Sequence, residues 1–255
     1  MSGNGTRALV IVLLSLGALI LTQPAAIADV VPIHLIGAGS DVSHSVYISP
    51  YSAVIGTGQT AVSVVCDDFF DDTYIPESWN ATVYDGSAPD LSATRMAQES
   101  GLSGQDLDRA YDEIAYLTLM LAGENATDRA LTSFAIWDVF ASAPSQAKDS
   151  AAAPTVQQWF ASHPDSNGPT LAQVQSLVAS ARLNAALGER SLLTIYSSPI
   201  GDVTCGGSAC PTATPQELVT VRTPEASVPA FLAFNLALLG VVFFVLRVRH
   251  AGATS

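Results

Sequence analysis

The chain has 255 residues, 23 of them acidic against 10 basic, for a formal net charge of −13. A surface so acidic repels nucleic acid and anionic lipid, which argues against a nucleic-acid-binding role. The length allows one domain of about 200 residues with a real core, and no internal repeat is present.

At the N-terminus, Arg7 precedes an apolar stretch, Ala8 to Leu21, followed by Gln23-Pro24 and Ala26-Ile27-Ala28. A basic n-region, a short apolar h-region and an A-x-A site predict a secretory signal peptide over residues 1–28, cut after Ala28. From Val30 to Tyr84 the pattern is β. Val31 to Ile36 alternates, Ser45 to Ser49 is a second candidate strand ended by Pro50, and Ala53–Ile55 with Ala61–Cys66 flank the turn-like Gly56-Thr57-Gly58-Gln59 as a hairpin. Trp79 to Tyr84 alternates again, with Trp79, Ala81 and Val83 on one face. His34 and His44 are read as strand or loop residues, since neither has ligand partners nearby in sequence.

The period changes after Pro89. Leu107, Ala110, Tyr111, Ile114, Leu117 and Leu121 predict a helix over 106–121, ended by Gly123. Asn125 or Thr127 can cap the next helix, 128–141, whose Leu131, Phe134, Ala135, Trp137 and Val139 predict a nearly surrounded core helix. A linker rich in Ala, Ser and Pro spans 143–154, then come a short helix 156–161, a loop 163–169, and a helix 171–187 capped by Thr170 and stopped by Gly188. Strand character returns over 191–196 and 217–221. The order of strands, helices and strands predicts an α+β domain over 29–222, a β-sandwich or barrel with a helical insertion, in which the last strands pair with the first sheet.

The chain ends on Thr223–Ser255. An uncharged apolar run of 19 residues, Val228 to Leu246, is followed by Arg247 and Arg249. That length crosses about 30 Å of hydrocarbon as a helix, and the arginines place its end inside by the positive-inside rule. A transmembrane helix over 228–246 is therefore expected. All 23 acidic residues lie between Asp29 and Glu225, whereas Arg7, Arg247 and Arg249 lie outside, so the exported part carries 23 acidic and 7 basic residues.

Two cysteines, Cys205 and Cys210, frame a Gly-Gly-Ser-Ala loop and are expected to pair as a disulfide in an oxidising compartment. Cys66 is read as a core or free thiol. Directly after it, Asp67, Asp68, Asp71 and Asp72 pack four carboxylates into six residues, a density that suits Ca²⁺. For such a cation Asp71 and Asp72 are the more exposed candidates, and the bland reading is a solvated cluster at a strand end. No cofactor other than Ca²⁺ is indicated. Asn80 and Asn125 head Asn-Ala-Thr sequons. No G-x-S-x-G nucleophile context is present, and no spacing singles out a pair of carboxylates, so no enzymatic activity is expected.

Pro224-Glu225-Ala226 ahead of a single span and a basic end at Arg247 and Arg249 resembles a PEP-CTERM sorting signal. In that family the motif is Pro-Glu-Pro, and Ala226 stands at the second Pro. The resemblance implies an exosortase-type membrane sorting enzyme as partner, exopolysaccharide as surroundings, and an inner-membrane hold before the envelope or extracellular matrix. The ectodomain resembles exported PEP-CTERM proteins of unknown function at Tyr47 to Tyr51, Val65-Cys66-Asp67-Asp68-Phe69, Trp79, Ala135-Ile136-Trp137 and Pro215-Gln216-Glu217. More distantly it is similar to the thioester domains of Gram-positive adhesins, in which a Cys sulfur is joined to a Gln side chain. The position matching that Gln is Ser133, which offers no acyl carbon, so the resemblance implies fold and not reaction. The functional expectation is a structural or adhesive envelope protein, with a glycan- or Ca²⁺-binding module, using Trp79 or Trp159, as the alternative.

Overall fold

A computed structural model describes residues 29–71, 74–144, 153–198, 204–205, 208–209 and 215–222. The expected signal peptide, Asp72, Cys210 and the whole of 223–255 lie outside the described residues. Among those described, no helix is long and apolar enough to cross a membrane.

Six antiparallel strands close into a barrel. They are β1 (Val30–Gly37), β4 (Tyr51–Ile55), β5 (Ala61–Cys66), β10 (Leu218–Val221), β7 (Leu193–Ser197) and β6 (Glu77–Asp85), in that order, and β6 pairs back onto β1. Closure leaves these strands no unpaired edge. The predicted hairpin is present, with Val54 opposite Ala61, and so is the return of the last strands to the first sheet, since β10 inserts between β5 and β7. The second candidate strand is shorter than expected. β2 (Val42–Ser43) and β3 (Val46–Tyr47) form a separate small hairpin whose turn residues His44 and Ser45 take positive φ, 48° and 69°. A further hairpin, β8 (Thr204–Cys205) and β9 (Ser208–Ala209), hangs on β6. It contains half of the expected disulfide, whose other half lies outside the described residues.

The helices pack together against the barrel. They are α1 (Arg95–Ser100), α2 (Gly104–Leu121), α3 (Ala126–Ala141), α4 (Val156–Ser162) and α5 (Leu171–Asn184). Asn125 caps α3, accepting from the Thr127 and Asp128 amides, and Thr155 and Thr170 each close a capping box. Alternation in the strands divides the core. Ile33, Leu35, Ala53, Val64, Cys66, Trp79 and Leu218 fill the barrel, while Val65, Leu193, Ile195 and Val219 face outward under Leu107, Ile114, Phe134 and Trp137. As expected, α3 is the core helix, with eleven of its 16 residues buried.

Several boundaries shift by a residue or two, and the connection from α5 to β7 departs furthest from the pattern. α5 stops at Asn184 and not at 187, and Ser191 and Leu192 belong to a 3-10 turn, Glu189–Leu192, and not to β7. The reason is a tertiary contact. Asp112 on α2 accepts from the Gly188 and Arg190 amides, and Gly188 takes φ 83°, so the chain turns there before the strand begins. The same corner is tight against the turn after β6, where a Cβ on Gly86 would lie 1.8 Å from the Arg190 carbonyl oxygen. Gly86→Ala is expected to destabilise the domain by about 2 kcal/mol, because main chain and not a flexible side chain must move. Thermal unfolding checks this.

Candidate functional site

The acidic stretch after β5 is interior. Asp67 and Asp68 are fully buried and the Asp71 side chain is 9% exposed, which corrects the expectation of a solvated cluster. The chain turns inward here because Asp68 supplies the turn. One carboxylate oxygen accepts from the Phe70 amide at 2.8 Å, two residues on, and the other from the Glu217 amide at 3.2 Å, tying the exit of β5 to the entry of β10. Gln216 reinforces this, its Nε2 donating to the Asp68 and Asp71 carbonyls at 3.0 and 2.7 Å.

α1, which the sequence pattern missed, delivers the cation. Arg95 is 2% exposed, and its Nη2 lies 3.1 Å from Asp71 Oδ2 and 2.5 Å from Glu99 Oε1, one helical turn on. Its Nε reaches the same Asp71 oxygen at 3.3 Å, and its backbone amide donates to Ser197 Oγ at 2.6 Å and Glu217 Oε2 at 2.8 Å. Glu217 Oε1 meets the Tyr111 hydroxyl at 2.7 Å, and that hydroxyl also lies 2.7 Å from Thr94 Oγ1, which itself donates to the Leu91 carbonyl. Asp67 adds a further carboxylate whose two oxygens find no hydrogen-bond partner among the described residues.

The Arg95 guanidinium thus pairs with Asp71 and Glu99, its charge also acts on Asp68, and Glu217 and Asp67 complete the group of buried carboxyls. They cannot all be ionised together. Burial, then the Glu217 and Asp68 charges, pushes the Asp67 carboxyl well up. Burial also raises Asp68 to about 6 against the pull of its two backbone donors, and raises Asp71 to about 9, with Asp68 adding to burial and Arg95 opposing it. Glu77 nearby rises to about 7 for the same reason, although its Oε2 accepts from the Tyr74 amide. The cluster gathers buried carboxyls around an internal cation. Among the described residues no three His, Cys, Asp or Glu side chains are placed to hold a metal ion.

Cys66 is buried and free, inside the barrel. Its thiol donates to the Asp68 carbonyl at 3.0 Å, and burial, then the Asp68 and Asp67 charges, pushes it well up, so it is an inert thiol and not a poised nucleophile. α3 crosses it directly, with Trp137 Nε1 donating to the Cys66 carbonyl at 2.9 Å. Ser133, one turn earlier on α3, is fully buried, and its hydroxyl finds no partner among the described residues. Ser133→Ala is therefore expected to be neutral or to stabilise by about 1 kcal/mol, as an unsatisfied buried hydroxyl is removed. Chemical denaturation measures it.

The aromatic residues expected to be exposed are not available as a platform. Trp79 is 5% exposed in the barrel core, and half-buried Trp159 donates its Nε1 to the His44 carbonyl while stacking on His163. His34 contacts Ser78 Oγ, and both His44 ring nitrogens meet carbonyl oxygens, of His163 and Pro169. A cavity of about 270 Å³ lies between the small hairpin, the start of α3 and the 163–169 loop. Its carboxylates are already engaged: Asp165 by Ser43, His44 and Asn167, and Asp41 by Arg129.

Of the expected site residues, the fold brings Asp67, Asp68 and Asp71 together. Arg95, Glu99, Tyr111 and Glu217 were missed. The signals available were the Arg95–Glu99 spacing and a lone acid heading the apolar strand Leu218–Val221. No family model and no curated protein matches the chain. Among solved structures, the N-terminal thioester domain of a surface protein from Clostridium perfringens is similar at 13% identity, with a TM-score of 0.41, over 76% of this chain and 99% of that one. A likeness that distant carries no argument about chemistry, and here Ser133 offers Cys66 no acyl group.

Proposed function

We propose that the chain is an exported bacterial envelope or extracellular-matrix protein, held in the inner membrane through its C-terminal segment, handed on by an exosortase-type enzyme, and carrying a non-catalytic structural or adhesive ectodomain. The observation that carries this reading is the tail: Pro224-Glu225-Ala226, the uncharged run Val228 to Leu246, and Arg247 with Arg249. The fold supports it in one respect. The barrel is complete at β10, and the chain leaves it at Arg222, so the tail is not needed to close the core. Fusing Thr223–Ser255 to an exported reporter tests the reading. Processing and release that require the host's exosortase are expected, and unchanged size and retention in a strain lacking that enzyme would overturn sorting.

Ca²⁺ binding at Asp67, Asp68, Asp71 and Asp72 is the second reading, favoured by the two buried Asp67 oxygens without a donor. Calorimetry with Ca²⁺, backed by melting in excess chelator, separates the two. The first reading expects no heat of binding and an unchanged Tm.

A further inference from the structure

Both ends of the described fold leave the barrel at one rim. The Asp29 carbonyl accepts from the Val83 amide, and the Arg222 amide donates to the Leu192 carbonyl, each at 2.7 Å. The end of β6 and the start of β7 meet there, with Asp85 opposite Thr194. Arg222 also pairs with Asp85 at 2.6 Å. The cluster around Arg95 lies toward the opposite rim, where β5 ends and β10 begins. The 3-10 turn that holds Leu192 comes shortly after α5; Leu183 near the end of that helix and Leu187 in the connection stand 85% and 88% exposed, the most exposed large apolar side chains described. Val30, where β1 leaves the same rim, is 65% exposed. Single exposed apolar side chains are ordinary. Here two of them stand close together in the chain, five and nine residues before the Leu192 that holds Arg222.

Distance supplies the occupant. Five residues, Thr223 to Ser227, separate Arg222 from the apolar run beginning at Val228. Fully extended, five residues reach no more than about 18 Å. The headgroup layer on one side of a bilayer occupies about 5–8 Å of that. The Arg222 rim therefore cannot stand far from the lipid surface, whereas the opposite rim is a strand length further out, about 20–30 Å at about 3.3 Å per residue.

We propose that this rim, through Leu183, Leu187 and Val30, rests on the lipid headgroup surface of the membrane in which the protein's own tail is anchored. The inference depends on the anchoring role proposed above for residues 228–246. Three cations beside it are paired, Arg190 with Asp108, Arg222 with Asp85 and Arg182 with Glu113. The buried carboxylates and the β2–β3 hairpin, with exposed Val42 and Tyr47, then face away from the membrane.

The test uses the full chain in phosphatidylcholine vesicles containing nitroxide-labelled lipid. A fluorophore is placed at Leu187→Cys or Leu183→Cys, and for comparison at Val42→Cys or Tyr47→Cys, in a Cys205→Ser/Cys210→Ser background that retains buried Cys66. Quenching severalfold stronger at 183 and 187 than at 42 and 47 is expected. Hydrogen exchange on the unsubstituted chain in nanodiscs gives the same comparison without labels, with slowed exchange over 183–192 and none over 42–47. Chains that float with the vesicles yet show equal or reversed quenching overturn the docked rim alone. Chains that do not float with the vesicles overturn the anchoring reading, and this one with it.

Discussion

Replacing Arg95 with methionine is expected to cost about 3–5 kcal/mol, a large share of the roughly 5–15 kcal/mol that holds a domain of ordinary stability. The substitution keeps an apolar stem of similar length but removes the positive charge from between Asp71 and Glu99, at 3.1 and 2.5 Å. The buried carboxyl groups of Asp71, Glu99, Asp68 and Glu217 would then hold whatever negative charge they share with no guanidinium to offset it. Breaking a buried pair on one side is costly because the remaining charge has neither water nor partner. Urea denaturation of Arg95→Met measures the loss. Adding Glu99→Gln should recover part of it, since one of the stranded charges is removed, and a double-mutant cycle reads that coupling. Asp67→Asn should behave oppositely and cost little, because neither Asp67 oxygen accepts a hydrogen bond among the described residues. A loss within about 0.5 kcal/mol for Arg95→Met, the range of ordinary surface substitutions, would rule out the cluster as a structural centre.

The second large effect is on pH. Stability should be greatest in mild acid and fall as pH rises from about 4 toward 9. Asp68 is raised to about 6, Glu77 to about 7 and Asp71 to about 9. Each therefore keeps its proton in the folded chain at a pH where the unfolded chain has lost it. The folded state binds more protons across that interval, and its stability declines as pH passes through it. For Asp68, fully buried, a rise of about two units corresponds to about 3 kcal/mol. Carboxyls with the opposite shift set the acid limit. The Asn167 and His44 amides hold Asp165 below its usual range, and Ser87 and Arg222 do the same for Asp85 against the effect of burial. Their contribution is lost only as pH falls through those lowered values. A Tm series from pH 3 to 9 should therefore rise and then fall, and Asp68→Asn should flatten the alkaline limb. A Tm that climbs steadily toward pH 8 would contradict the shared-proton account.

How much of this was legible in the sequence depended on distance along the chain. The hairpin at Gly56, the helix of Leu107 to Leu121 and the buried run of α3 are local patterns, set by periods of 2 and 3.6 residues. Caps at Asn125, Thr155 and Thr170 are equally local, each a short polar side chain meeting amides two or three residues ahead. α1 escaped notice because six residues hold too few turns to show a period, and its N-cap Thr94 lies in a run of small polar residues. The end of α5 is not legible because the carbonyls at its end are taken by Arg109, 76 residues before Ala185.

By itself, then, the sequence determined the class of the fold, the core helix, and the composition of both termini, because apolar period and apolar length need no partner to be read. It also settled that Cys66 has no acyl donor at Ser133, since that is a matter of residue identity. Only the tertiary structure decided that the strands close into a barrel, through β6 returning to β1. It alone decided that the carboxylates after Cys66 are interior. Their partners stand 24 residues away at Arg95 and 149 away at Glu217, and burial is a property of what packs around a group. The same four letters, Asp67, Asp68, Asp71 and Asp72, read as a surface in the chain and as the protonated centre of the fold once the barrel has closed around the first three.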